Sequence, residues 1–159
     1  MHNFSQWDPT KSNSESKVKI VSWNIRGISD KLADPDLQQV LFKNDIVVLY
    51  ETMKYGDYDV SIPGYTFHHF ARKQIHPKAH SASDGIGLFI SNRISDGAKV
   101  FSSNEILVWI KLCSKHLNVA RGVYIGCVYL PPKGSTYAIQ STFSSFLYSF
   151  AFSSKCSMQ

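Results

Sequence analysis

Short apolar runs alternate with polar segments rich in Gly, Pro, Ser and Asn along most of this chain. Runs of five to eight residues enriched in Val, Ile, Phe and Tyr are typical of β-strands. The run at 46–50 is apolar at every position, as expected of a strand covered on both faces. The predicted strands are residues 18–23, 46–50, 65–70, 85–91, 106–112 and 123–130, and the last two are predicted to pair antiparallel.

Helical signals are fewer. Asp34 followed by Pro35 is a cap and a first-turn proline, and Leu37, Val40 and Leu41 then recur on one helical face. A second helix is predicted from Ser135, because apolar residues recur at helical spacing from 139 to 150. We expect one α/β domain at 18–150, a disordered leader at 1–17 and a divergent tail at 151–159.

Oxygen-bearing side chains stand where three of the apolar runs end. Asn24 closes the first run, Glu51 follows the second, and Tyr129 precedes the rigid Pro131-Pro132 turn. Strand ends fix a side chain while the adjoining loop admits a ligand. An amide and a carboxylate side by side suit a hard divalent cation such as Mg²⁺. The sequence therefore predicts a metal and phosphate site built from strand ends.

Four motifs occur in a fixed order: WNIRG at 23–27, ET at 51–52, GIGLFIS at 85–91 and VYLPP at 128–132. In this order they resemble the endonuclease/exonuclease/phosphatase superfamily, and most closely the endonuclease domain of LINE-type (non-LTR) retrotransposons. The resemblance covers roughly residues 18 to 150. It implies an incomplete four-layer α/β/β/α sandwich of the DNase I-like kind, with this chain supplying mainly the first sheet and its helices.

The resemblance also implies roles for individual residues. Asn24 and Glu51 would hold Mg²⁺ or Mn²⁺, Tyr129 would act on the scissile phosphate, and Arg26 and Lys133 would contact DNA. It implies DNA as the partner, phosphodiester hydrolysis as the reaction and no small-molecule cofactor.

Two further motifs of the family, GDxN and SDH, do not occur in these 159 residues. In the family they position the attacking water and steady the developing charge, so we expect this chain to represent a first half that is inactive alone. The alternatives are an active DNA endonuclease, a catalytically dead nucleic-acid-binding remnant, a fragment without function, and hydrolysis of phosphoinositides or sphingomyelin. An apolar sheet face left open to water would also favour self-association.

Each site residue has a structural alternative. Glu51 is also the first solvated position after a buried strand, and Asn24 is also able to cap the turn at Arg26-Gly27. Tyr129 is also compatible with an ordinary core aromatic, and Arg26 with a solvated arginine.

Other candidates favour structural interpretations. His76 and His80 are four apart but have no acidic or cysteine partner at metal-ligand spacing, which favours solvated loop histidines. Gly85 and Gly87 lack a nucleotide-loop pattern and are expected to open a closely packed strand.

The composition is less informative than the motifs. Seventeen Lys and Arg against 12 Asp and Glu give a net charge of +5, which favours a polyanionic partner such as DNA. The three cysteines have no zinc spacing, and those in apolar runs are expected to be buried and inert. With no secretory leader or membrane-length apolar run, we expect an intracellular protein, nuclear or cytoplasmic and not secreted.

Overall fold

Two β-sheets and one α-helix are seen in the computed structural model, which describes residues 17–71, 84–104 and 106–130. Outside these residues lie the predicted leader except Lys17, the second helix, the tail, most of the loop with His76 and His80, and Lys133. The elements are β1 (Ile20–Asn24), α1 (Pro35–Lys43), β2 (Ile46–Tyr50), β3 (Tyr65–Phe70), β4 (Ile86–Ser91), β5 (Ala98–Asn104), β6 (Leu107–Leu112) and β7 (Val123–Val128).

The first sheet has the strand order β1-β2-β4-β3. Strands β1 and β2 are parallel, and α1 forms the crossover between them. The predicted start of α1 is confirmed: the Asp34 side chain accepts a hydrogen bond from the Asp36 amide at 2.9 Å, and Pro35 is the first helical residue. Leu37 and Leu41 are buried against the sheet. The helix is therefore held by one apolar face, as its sequence pattern indicates.

The second sheet has the order β5-β6-β7, and all its strands are antiparallel. The predicted pairing of the last two strands is confirmed. Strand β5 was missed by sequence reasoning, because its residues have neither a long apolar run nor a regular alternation: two adjacent apolar residues, Val100 and Phe101, are followed by three polar ones. The chain thus supplies three strands of the second sheet, more than expected.

An apolar layer joins the two sheets. Val48 and Leu88 of the first sheet belong to one buried cluster with Val108 and Ile110 of β6. Because α1 covers the other face of β2 and β4, these strands are buried on both sides. The expectation that their apolar faces meet water is therefore wrong, since the second sheet covers them.

Some large apolar side chains are exposed on strands at the sheet edges. Ile20 of β1 is 45% exposed and Val123 of β7 is 41% exposed. The described residues form three layers of the predicted four-layer sandwich, namely helix, sheet and sheet. Within the described ranges, no helix is long and apolar enough to cross a membrane.

Candidate functional site

The ends of β1 and β2 and the start of β4 meet at one edge of the first sheet. Asn24 is paired in register with Tyr50, the residue before Glu51. Beyond the strands, the Gly27 amide donates to the Glu51 carbonyl at 2.7 Å. The Met53 amide donates to the Asp84 carbonyl at 2.8 Å. Backbone hydrogen bonds therefore hold three strand-end segments side by side.

The backbone turns sharply at this edge. Arg26, Glu51 and Asp84 adopt left-handed conformations, with φ of 51°, 58° and 63°. Residues other than Gly adopt this region rarely, and such outliers concentrate where the surrounding structure fixes a functional loop. Each of the three segments thus leaves or enters the sheet through a fixed turn at the candidate site.

Tyr129 connects the second sheet to this edge. Its amide donates to the Ile106 carbonyl at 3.0 Å, which continues the pairing of β6 with β7 by one residue. Its ring stacks on Tyr50, with 6.1 Å between ring centroids. Its hydroxyl donates a 2.9 Å hydrogen bond to Oε1 of Glu51. Two predicted site residues 78 positions apart in sequence are therefore in direct contact.

The Tyr129 phenol is held in its protonated form. Desolvation, the hydrogen bond to Glu51 and the negative charge of Asp84 all raise its pKa above the ordinary value. A tyrosine with a raised pKa is a neutral hydrogen-bond donor at physiological pH. The group facing the site is thus an O–H donor rather than a phenolate.

Asn24 lies at this edge with an exposed side chain. Its Oδ1 accepts a 3.3 Å hydrogen bond from the Arg26 amide, so the turn-capping alternative for Asn24 is observed. The side-chain oxygen Oδ1 of Asn24 keeps a second lone pair that could contact a cation. Arg26 is exposed beside it, and Lys133 lies outside the described residues. The roles assigned to these residues stay predictions.

Sequence reasoning missed Thr52 and His69, which support the segment after Glu51. Thr52 is fully buried, and its Oγ1 lies 3.0 Å from Nε2 of His69. His69 Nδ1 lies 3.1 Å from the Gly56 carbonyl, which only accepts hydrogen bonds, so Nδ1 carries the proton and Nε2 accepts from Thr52. Burial lowers the pKa of His69 and favours this neutral form. No local sequence signal marks this contact, because His69 comes from β3.

Asp84 was also missed as a site residue. The sequence interpretation of this segment concerned only Gly85 and Gly87. The acidic Asp84, directly before a strand, was an available signal. The expectation for the glycines is confirmed, since a β-carbon on Gly87 would lie 3.1 Å from both the Phe67 ring and the Thr52 methyl group.

The prediction of an inert buried thiol is confirmed for Cys127, where burial raises the pKa to about 11. Cys113 is only half-buried. Cys156 lies outside the described residues.

The donor chemistry at this edge fits a hydrated hard cation. No group of three or more His, Cys, Asp or Glu side chains able to hold a metal occurs within residues 17–71, 84–104 and 106–130. Mg²⁺ does not require such a group, because it usually keeps several waters and uses one or two carboxylates. Glu51 supplies one carboxylate at this edge, and its assignment with Asn24 as metal ligands stays a prediction.

No protein-family model and no curated protein sequence matches this chain. Solved structures with the same fold include two enzymes. The AP endonuclease LMAP from Leishmania major is 16% identical, with a TM-score of 0.58 over 81% of this chain and 46% of that protein. The 3′ phosphatase NExo from Neisseria, bound to a product DNA hairpin, is 16% identical, with a TM-score of 0.50 over 82% of this chain and 49% of that protein.

This likeness confirms the predicted DNase I-like α/β sandwich. The chain spans about half the length of each of these enzymes.

Proposed function

We propose that this chain provides the metal- and phosphate-binding part of a divalent-metal-dependent phosphodiester hydrolase that acts on DNA, of the LINE retrotransposon type. The observation that carries the proposal is the 2.9 Å hydrogen bond from Tyr129 to Glu51. It joins a phosphate-binding candidate to a metal-binding candidate across two sheets. DNA as substrate is supported by the two enzymes of the same fold, one an AP endonuclease and the other bound to a DNA hairpin.

In this proposal Glu51 and Asn24 would hold Mg²⁺ or Mn²⁺. When bound, such a cation neutralises phosphate charge and stabilises the leaving oxygen. Tyr129 would turn its hydroxyl hydrogen bond from Glu51 to a phosphate oxygen, and its raised pKa keeps the phenol neutral. Tyr129 therefore serves as a donor and not as a covalent nucleophile. The exposed Arg26 supplies positive charge toward the DNA backbone.

The retrotransposon type is supported by the order of the WNIRG, ET, GIGLFIS and VYLPP motifs. The same sequence favours a second candidate function, a nucleic-acid-binding domain without catalysis, because GDxN and SDH do not occur in the 159 residues. Loss of a positioned proton-transfer group typically costs about 10²- to 10⁴-fold in rate. We therefore expect this chain by itself to bind Mg²⁺ and DNA but not to cut DNA.

The test is a plasmid-nicking assay with and without EDTA, combined with Mg²⁺ titration by calorimetry. We expect Mg²⁺ binding that Glu51→Gln weakens at least tenfold, and no nicking above background. The matched control is Asp96→Asn, an exposed carboxylate beyond the far end of β4. That variant should bind Mg²⁺ as the parent chain does.

The outcomes separate the candidates. EDTA-sensitive nicking that disappears in Glu51→Gln would make this chain an active nuclease. DNA binding without Mg²⁺ binding would support the non-catalytic nucleic-acid-binding domain. A chain that binds neither Mg²⁺ nor DNA would exclude both candidate functions.

A further inference from the structure

The outer face of the second sheet carries exposed aromatic and basic side chains. Alternate residues of β5, β6 and β7 pack into the apolar layer shared with the first sheet, among them Val100, Ile110 and Ile125. Successive side chains of a strand point to opposite faces of its sheet. The neighbours of these residues therefore form the outer face, and four of them with exposed side chains are Lys99, Phe101, Lys111 and Tyr124.

These four side chains form one surface, here called the outer patch. Lys99, Lys111 and Tyr124 are paired in register across the three strands. Nζ of Lys111 lies 5.3 Å from the centroid of the Tyr124 ring. The rings of Phe101 and Tyr124 approach each other over β6, with 6.5 Å between their centroids. The outer patch thus combines two aromatic rings with two ammonium groups in contact with solvent.

The sheet is shallow beside the Tyr124 ring. Gly126, the next outward residue of β7, is paired in register with Trp109. A β-carbon on Gly126 would lie 3.0 Å from Cζ3 of the Trp109 indole, so the glycine leaves room for the indole to lie close against the strand. Trp109 is 5% exposed. A flat ring can therefore approach Tyr124 along β7 without meeting a bulky side chain at position 126.

The charges of the outer patch are not balanced by carboxylates. Lys99 lies directly opposite Lys111, and like charges at such positions destabilise a sheet. The ion pairs seen within residues 17–71, 84–104 and 106–130 include neither lysine. An anionic ligand would relieve the repulsion between them.

These features favour a single nucleic-acid strand over a protein partner. A protein partner would bury both ammonium groups, whereas the cores of protein interfaces are depleted in lysine. A symmetric contact with a second copy would bring the same lysines together. An unpaired strand offers phosphates to the lysines and free base faces to the rings, while the bases of a duplex already stack on one another.

We propose that the outer patch binds single-stranded DNA, with bases stacked on Phe101 and Tyr124 and phosphates held by Lys99 and Lys111. The choice of DNA rests on the proposed function, and the patch adds a second contact surface to it. Tyr124 precedes Tyr129 by five residues, which is roughly 17 Å along an extended strand. A DNA strand that leaves the candidate site can therefore reach the outer patch within a few nucleotides.

The test measures binding of a fluorescein-labelled oligothymidylate by fluorescence anisotropy, in EDTA so that the candidate metal site does not contribute. Tyr124→Ala should weaken binding about tenfold, because stacking of a base on the ring is lost. Tyr124→Phe keeps the ring and should bind as the parent chain does. The matched control is Phe42→Ala, which removes an exposed aromatic ring from α1, on the far side of the first sheet.

The salt dependence of binding tests the lysines. The double variant Lys99→Gln with Lys111→Gln should reduce the slope of log K against log salt by about 1.4, because each phosphate contact on a single strand contributes about 0.7. Lys43→Gln, at an exposed position at the end of α1, should leave the slope unchanged. Urea unfolding should give the parent midpoint for all these variants, since the replaced side chains are exposed.

Four results would overturn the proposal. The first is an affinity that Tyr124→Ala and the double lysine variant leave within about twofold of the parent. The second is equal affinity for a duplex of the same length, and the third is tighter binding of oligouridylate. The fourth is self-association by light scattering that Tyr124→Ala abolishes, which would make the outer patch a contact between copies of this chain.

Mg²⁺ calorimetry on the parent chain separates this proposal from the proposed function. A chain that binds oligothymidylate through the outer patch but does not bind Mg²⁺ would contradict only the metal site. A chain that binds Mg²⁺, with an oligothymidylate affinity insensitive to the variants, would contradict only the outer patch.

Discussion

Gly85 and Thr52 are packed so closely that a β-carbon on Gly85 would lie 2.4 Å from Oγ1 of Thr52. Gly85 also has φ of +94°, which side chains rarely permit. Because Thr52 follows Glu51 directly, this contact sets how closely β4 approaches the candidate site.

Gly85→Ala should therefore destabilise the fold by about 2 kcal/mol or more, since backbone strain and a steric clash add. Urea unfolding followed by circular dichroism measures the change. Gly56→Ala is the matched control, because Gly56 also has positive φ, +58°, but open space around its β-carbon position. Gly56→Ala should lower the free energy of unfolding by only about 1 kcal/mol. Equal losses in the two variants would show that the contact with Thr52 is unimportant.

The hydroxyl of Tyr65 supports the end of α1. It donates to the Asn44 carbonyl at 2.9 Å and also contacts the Leu41 carbonyl. These carbonyls lie where a helix leaves acceptors unpaired. Tyr65→Phe should lower the free energy of unfolding by about 1 to 2 kcal/mol. Tyr55→Phe, at an exposed tyrosine, should change it by less than about 0.5 kcal/mol. An unchanged free energy of unfolding in Tyr65→Phe would contradict the capping role of this hydroxyl.

Acid should weaken the fold through its half-buried histidines. Burial lowers the pKa of His68 and of His69 from the ordinary 6.5. The unfolded chain then takes up protons before the folded chain does, so stability present above pH 6.5 is lost as the pH falls below it. Urea midpoints measured at a series of pH values test this. His69→Asn keeps a donor for the Gly56 carbonyl and should show a smaller loss. Stability that increases with acid in this range would contradict the assignment.

Asp45 joins three parts of the first sheet. Its carboxylate accepts from the Lys19 amide at 2.8 Å and from Nε of Arg93 at 3.0 Å, and Nη2 of Arg93 lies 2.7 Å away. Asp45→Asn should lower the free energy of unfolding by about 2 kcal/mol, because the new amide N–H group would face the N–H donors of Lys19 or Arg93. Asp96→Asn removes an exposed ion pair with Lys115 and should produce no resolvable change in the urea midpoint. A comparable loss in both variants would refute the distinction.

Local patterns were sufficient for the elements that carry their own signals. The Asp34-Pro35 cap and the wholly apolar 46–50 run predicted α1 and β2, and the strand ends placed Glu51 and Tyr129 near each other. The position of Asp84 beside the segment that follows Glu51 was not predictable, because it depends on the antiparallel return of β4 past the end of β2. The apolar 46–50 run also indicated cover on both faces of β2, but not that the second sheet of the same chain supplies it, since that depends on tertiary packing.

The 78-residue separation between Glu51 and Tyr129 has a consequence for biosynthesis. At roughly 5–20 residues per second, Tyr129 leaves the peptidyl transferase centre about 4–16 s after Glu51. During that interval a nascent chain has β1 and β2 but lacks the phenol that holds the carboxylate. Because contacts between distant residues also form late in folding, the site should be among the last features to appear. The strands that carry Glu51 are therefore synthesised first, and the Tyr129–Glu51 contact forms last.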